Sequence, residues 1–274
     1  MSRRHRARLA LLQVLVLSLL LTACQQGGRR AEVPRRGVGA VDARRTGAPA
    51  PGVRSRPRPR PAAVKGVPES VSWWKQRHAQ KVRRVRQGEV DLLWIGDSII
   101  HFWENDGKKV WDRYYARRRA VNLGFAGDRV QNVLWRMRHG ELTGISPKVA
   151  VVMIGTNDAG DGARPARTAA HIRALVTELR TRLPRTRILL LAIFPCGEDN
   201  QDEQRKTNAA VNRLIAKLHD GRRVHFLDLG RHFLSKQGVL DMSVMPDLLH
   251  PGAKGYLLWA RAMEPTLKRL LGER

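Results

Sequence analysis

The sequence predicts an α/β fold, a three-layer sandwich with a five-stranded parallel sheet between two layers of helices. Three observations carry this expectation. From about residue 70, short apolar runs alternate with longer amphipathic stretches. Runs such as "KVAVVMIG" and "RILLLAIF" are apolar throughout rather than at every second residue, as strands covered on both faces are. No internal repeat is present, so the alternation describes one α/β domain.

Each element can be justified in order. "SVSWWKQRHAQKVRRVRQG" has helical spacing and ends at Gly88; Trp73, Trp74, Trp94 and Trp135 are expected in the core, with Trp103 left open. The run 91–95, "DLLWI", reads as a first strand, followed by a helical stretch around "KKVWDRYYARRR". "AVNLG" is a short second strand, "DRVQNVLWRMRHGEL" a helix, and "KVAVVMIG" the third strand. "ARTAAHIRALVTELRTRL" is amphipathic; "RILLLAIF" is a fourth strand, "EQRKTNAAVNRLIAKLH" a helix and "VHFLDL" a fifth strand. "AKGYLLWARAMEPTLKRLL" closes the chain as a helix, with Pro265 placed to bend it. With right-handed crossovers these units pack as a flavodoxin-like sandwich of strand order 2-1-3-4-5. Ligands of such sheets bind beyond the carboxyl ends of the strands, at the switch point beside strand 1.

The amino-terminal third reads differently. Residues 1–23 combine a basic start, "MSRRHRAR", with an apolar run of 15 residues, shorter than the ~20 that span a bilayer. The run ends in Leu21-Thr22-Ala23-Cys24, which resembles the lipobox of bacterial lipoproteins and implies cleavage before Cys24 and lipidation of its thiol. An ordinary secretory signal or an uncleaved anchor is the alternative. Residues 24–69 hold Arg, Pro, Gly and Ala with almost no large apolar side chains, the composition of an extended tether. Leader and tether carry a large share of the formal charge of +27. Such charge suits contact with anionic lipid or acidic polymers, or merely a solvated spacer. Its arginines are not interleaved with aromatics, which argues against nucleic acid. The expected address is the bacterial cell envelope, lipid-anchored to the membrane. Cys196 alone remains after Cys24, so the exported domain, residues 70–274, forms no internal disulfide, and Cys196 reads as a small loop residue.

The loops leaving strands 1, 2 and 3 read Gly96-Asp97-Ser98, "NLGFAGD" and Gly155-Thr156-Asn157-Asp158, and after strand 5 stands "DLLHPGAKGY". These residue types suit acyl transfer. Ser98 is the candidate nucleophile, too weak without an adjacent base. His250 has the right proton affinity to be that base, and Asp247, three residues earlier, can orient it. Candidate oxyanion donors are the Ser98 and Gly127 amides and the Asn157 side chain. Asp97 reads as a partner of loop amides, Asp158 as a loop-positioning residue, and His101 as a wall. His139, His171, His219, His225 and His232 lack metal-ligand spacing. Ile99, Thr156 and Leu249 flank the catalytic positions and are expected to wall a short acyl pocket.

The four blocks "GDS", the glycine of "NLGFAGD", "GTND" and "DLLH" stand in the order of the SGNH, or GDSL-type, hydrolases, which the sequence resembles over essentially all of residues 70–272. More narrowly it is similar to the catalytic subunits of platelet-activating factor acetylhydrolase Ib and their bacterial relatives, through "NLGFAGDRVQNVLWRMRHGEL", "PKVAVVMIGTND", "FPCGEDNQDEQRKTNAAVNRLI" and "DLLHPGAKGY". The resemblance implies the SGNH hydrolase fold, with Ser98, Gly127, Asn157 and His250 as signature residues and Asp247 completing the triad. It also implies hydrolysis through an acyl-serine without metal or other cofactor, with a short acyl ester of a lipid as substrate; the expected envelope address offers O-acetylated glycans as the other substrate class. The resembled subunits pair, which makes a homodimer one implied state. A non-catalytic surface protein that holds acidic polymers in its crevice or on its tether is the reading from a different class.

Overall fold

The computed structural model describes residues 72–273. The expected leader, Cys24 and tether lie outside the described residues. Helix α1 (Ser72–Arg86) leads to β1 (Leu92–Gly96), and two short helices follow, α2 (Ser98–His101) and α3 (Lys108–Tyr114). Then come β2 (Ala120–Gly124), α4 (Val130–Arg136), β3 (Val149–Met153), α5 (Thr156–Gly160) and α6 (Pro165–Arg182). The chain closes with β4 (Arg187–Leu191), α7 (Glu203–Ile215), β5 (Val224–Leu227) and α8 (Ala253–Leu271).

All strand pairs are parallel and the order is β2-β1-β3-β4-β5, as the sequence predicts. The period of two along each strand explains why both faces are apolar. Leu93 and Ile95 of β1, Ala150 and Val152 of β3, and Ile188 and Leu190 of β4 face one core, with residues of α1, α4, α6 and α7. Leu92 and Trp94, Val149 and Val151, and Leu189 and Leu191 face the other, with α3 and α8. That second core is aromatic: Trp94 lies 4.8 Å from Tyr115 and 5.3 Å from Trp103 between ring centres, and Trp259 packs on both tryptophans. Trp103 therefore belongs to the core. It also walls a cavity of about 240 Å³ against the outer edge of β2, bounded by Lys81, Arg84 and Trp111.

Three elements differ from the expected ones. The helix expected over 128–142 stops at Arg136 and passes into one wide turn, Met137–Glu141, where Gly140 has a φ of +108°. Helix α8 runs unbroken through Pro265. Trp73, expected in the core, is 41% exposed, whereas Trp74 beside it is 1% exposed. Adjacent helical residues point about 100° apart, so the inward face of α1 takes only one of the pair.

Candidate active site

Strand β1 ends at Gly96, and this glycine lets the site form. A Cβ there would lie 2.1 Å from the Met153 carbonyl oxygen and 2.5 Å from the Ile100 side chain, so the chain turns directly off the sheet into α2. Asp97 caps α2: its Oδ1 accepts from the Ile99 amide at 3.0 Å. The Tyr256 hydroxyl, reaching from α8, donates to the Ile99 carbonyl at 2.8 Å and holds the same turn. Ser98 thus opens α2 with its hydroxyl at the carboxyl end of the sheet.

From the far end of the chain comes "DLLH". Ser98 Oγ and His250 Nε2 are 2.8 Å apart, across 152 residues of sequence. On the other side of the ring, His250 Nδ1 lies 2.6 Å from Asp247 Oδ2. Asp247 Oδ1 also accepts from the Leu249 and His250 amides, at 3.0 and 2.7 Å. Burial disfavours the Asp247 charge, but the bonds from the His250 ring and amide outweigh it and draw its pKa down to about 2. The carboxylate therefore stays ionised and the imidazole is held with Nδ1 toward it. Leu248, between Asp247 and Leu249, has a left-handed φ of +59°, which a branched residue adopts only under constraint. The constraint is visible: the Gly197 amide donates to the Leu248 carbonyl at 2.9 Å, and Arg205 binds the carbonyls of Cys196 and Gly197. The "FPCGED" block is thus a clamp on the histidine loop. Cys196 itself is buried, and burial pushes its thiol up to about 12.

The candidate oxyanion donors each keep an N–H unspent. Among the described residues the Ser98 and Gly127 amides have no acceptor of their own. Gly127 has a φ of +79° with open space where a Cβ would stand, so no side chain of its own screens its backbone. Asn157 spends one side-chain N–H on the Asp128 carbonyl, at 2.9 Å, which fixes the amide and leaves the second N–H. Asp158 accepts from the Val130 amide at 3.1 Å and so ties α5 to α4, as a positioning residue would.

Behind the donors lies a charge network that the sequence did not reveal. Asp128 accepts from Trp74 Nε1 and Arg136 Nε, each at 2.8 Å, and Arg136 also pairs with Glu141, which in turn meets His78 at 3.2 Å. The Arg136 guanidinium lies 3.9 Å from the Phe125 ring centre. All three charged groups are buried. Two further groups border the triad. Phe102 packs on the His250 ring at 5.1 Å. His101 stacks on Trp73 and its Nδ1 accepts from the Ala126 amide at 3.2 Å; burial and then Arg77 lower its pKa to about 4, so it stays neutral as a wall.

One expectation needs correction. Ile99 and Thr156 do not wall an open acyl pocket: they are 1% and 2% exposed. Ile99 packs into the aromatic core, and the Thr156 hydroxyl faces α7, where Gln204 donates to it at 3.1 Å. Leu249 alone of the three keeps accessible surface.

A sandwich of this topology, with a serine, an imidazole and a carboxylate in series beyond its strand ends, defines a hydrolase of carboxylic esters. The chain belongs to the GDSL-like lipase/acylhydrolase family, whose model matches residues 94–258. It is 33% identical to human platelet-activating factor acetylhydrolase IB subunit alpha1 over 218 residues, covering 79% of this chain and 92% of the relative. To the rat alpha2 subunit it is 32% identical over 217 residues, covering 78% and 93%. The fold is shared with a GDSL-like lipase from Bacteroides thetaiotaomicron, at 16% identity and a TM-score of 0.56, covering 71% of this chain and 97% of that one. It is also shared with the Geobacillus stearothermophilus acetylxylan esterase Axe2, at 21% identity and a TM-score of 0.54, covering 68% and 96%.

Proposed function

We propose that this hydrolase is a serine esterase that removes short acyl groups, acetyl foremost, from a lipid or glycan through an acyl-serine intermediate. The observation that carries the reading is the 2.8 Å contact between Ser98 Oγ and His250 Nε2, with Asp247 on the opposite ring nitrogen. Ser98 Oγ attacks the ester carbonyl carbon while His250 Nε2 takes the hydroxyl proton. The Ser98 and Gly127 amides and the free Asn157 N–H receive the oxyanion of the tetrahedral intermediate. The ester C–O bond then breaks, and the departing alkoxide takes the proton from His250. Water, deprotonated by His250, attacks the acyl-serine, and collapse returns the proton to Ser98 with release of the acid. The chain's own donors and base account for every proton moved.

The acetyl preference rests on the names of the relatives and of the acetylxylan esterase neighbour. Lipid attachment at Cys24 would hold the enzyme at a bacterial envelope, with the arginine-rich stretch 24–69 close to anionic polymers. Membrane fractionation of wild type and Cys24→Ser tests this; equal release of both into the soluble fraction refutes the anchor.

Labelling with a fluorophosphonate tests the chemistry: wild type is modified at Ser98, and Ser98→Ala is neither labelled nor active. An unlabelled wild type with no esterase activity would sink the reading. Rates on p-nitrophenyl acetate through octanoate test the acyl length, and a preference for octanoate would refute the short-acyl reading.

A further inference from the structure

One end of the sandwich carries a set of exposed cations that, among the described residues, have no acidic partner. Because all five strands are parallel, they begin at one end, and the site lies at the other. Helices α1, α6 and α8 finish at the strand-starting end. Exposed cations without an ion pair stand there at almost every connection, among them Arg86, Arg117, Lys148, Arg185, Arg222 and Arg269. None forms an ion pair among the described residues, because the neighbouring carboxylates are already taken. Asp91 pairs with Arg119, Asp220 with Arg180, Glu178 with Arg138 and Arg182, and Glu264 and Glu273 with Arg118. Glu89 alone of the acids at this end stays outside those pairs. The helix dipole accounts for cations such as Arg86 and Arg269 in or beside last helical turns. Lys148, Arg185 and Arg222 sit instead in loops that lead into strands, where no helix dipole calls for them.

We infer that this end of the domain docks on an anionic lipid surface, with the catalytic end facing away from it. The cations are spread across the width of a five-stranded sheet, roughly 20 Å, rather than gathered in a groove that would follow one polymer strand. Among the described residues no Trp, Tyr or Phe is exposed beside them, so this end offers no large aromatic platform for bases. The exposed large apolar residues, Trp73, Val239 and Met242, all belong to segments at the catalytic end. With nothing to insert, the attraction is electrostatic and decays within a Debye length of the surface. A lysine or arginine beside an anionic leaflet contributes about a fivefold gain in partitioning. Docked in this way, the enzyme turns Ser98 toward substrates carried in the aqueous space instead of toward the lipids beneath it. The inference stands apart from the acyl-serine reading, since it uses none of the catalytic residues.

The test uses three full-length proteins that share the same arginine-rich amino terminus. These are wild type, a variant with Arg117→Gln, Arg185→Gln and Arg222→Gln, and an equal-charge control with Arg167→Gln, Arg231→Gln and Lys236→Gln. Cosedimentation with vesicles of phosphatidylglycerol and phosphatidylcholine is measured at 50 and 300 mM salt, beside vesicles of phosphatidylcholine alone and a duplex DNA. Unchanged rates on p-nitrophenyl acetate verify that all three are folded. The first variant should lose on the order of a hundredfold in partitioning to the anionic vesicles at low salt, and the control no more than a few-fold. Equal losses in both variants would mean that net charge, not this end of the domain, governs binding, and would overturn the inference. So would tighter binding to DNA than to anionic vesicles, lost in the first variant.

Discussion

Replacing Arg136 with methionine tests whether the buried network holds the oxyanion loop. The guanidinium is fully buried and serves Asp128, Glu141 and the Phe125 ring at once. Methionine keeps much of the volume but leaves two buried carboxylates without their shared cation. Removing one partner of a buried ion pair costs about 3–5 kcal/mol. Here the lower part of that range applies, because Asp128 keeps its bond from Trp74 and Glu141 its contact with His78. A loss of about 3 kcal/mol is large against the roughly 5–15 kcal/mol that holds a domain together. With an m-value of about 2 kcal/mol/M it lowers the urea midpoint by roughly 1.5 M at pH 8, followed by tryptophan fluorescence. The deficit should narrow toward pH 5. Burial already raises the Asp128 pKa, so acid protonates that carboxyl early, and a neutral carboxyl no longer needs the cation. The rate on p-nitrophenyl acetate should fall too, since the Asp128 carbonyl aims the Asn157 amide. A loss under 1 kcal/mol at unchanged m, or one indifferent to pH, would refute this account.

Two other outcomes follow from the same geometry. Asn157→Ala should lower kcat by about 10²–10³ with little change in KM, the usual cost of one oxyanion donor; a KM effect alone would remove Asn157 from that role. Burial, opposed by the bond from the Ile99 amide, raises the Asp97 pKa to about 7, so ionisation costs the folded state stability as pH rises from about 4 through 7. Asp97→Asn keeps an acceptor for Ile99, and its stability relative to wild type should grow by on the order of 2–4 kcal/mol between pH 5 and 8. Parallel urea midpoints at the two pH values would contradict that.

What the sequence made legible was what repeats or what is rare. Continuous apolar runs located the strands, and the right-handed crossover rule ordered them. Serine, histidine and aspartate at loop positions after strands announced a juxtaposition that the 2.8 Å contact realises. One-turn elements such as α2 and α5 are too short to show a period, so they went unseen. Arg136 was invisible for another reason. In "VLWRMR" it looks like one more surface arginine, and only the fold shows that it, not Arg138, points inward. The acyl-pocket expectation for Ile99 and Thr156 failed because proximity in sequence does not set direction: each follows its glycine or serine by a fraction of a helical turn and points under the site. Trp73 could have been set apart from Trp74, since neighbours on a helix never share a face. The clamp on the histidine loop had a faint sign in Gly197, but no local pattern says which carbonyl its amide will meet.

Helix α1 begins beside Ser98's loop, where Trp73 lies on His101, and α8 finishes with Leu271 at the far side of the sandwich. Anyone attaching a dye, a bead or a fusion partner inherits that polarity. A handle joined just ahead of residue 72 would crowd the entrance that an ester must use. One joined after residue 273 would leave the entrance clear, at the expense of covering the arginine-rich base, so the two placements report on different surfaces of the molecule.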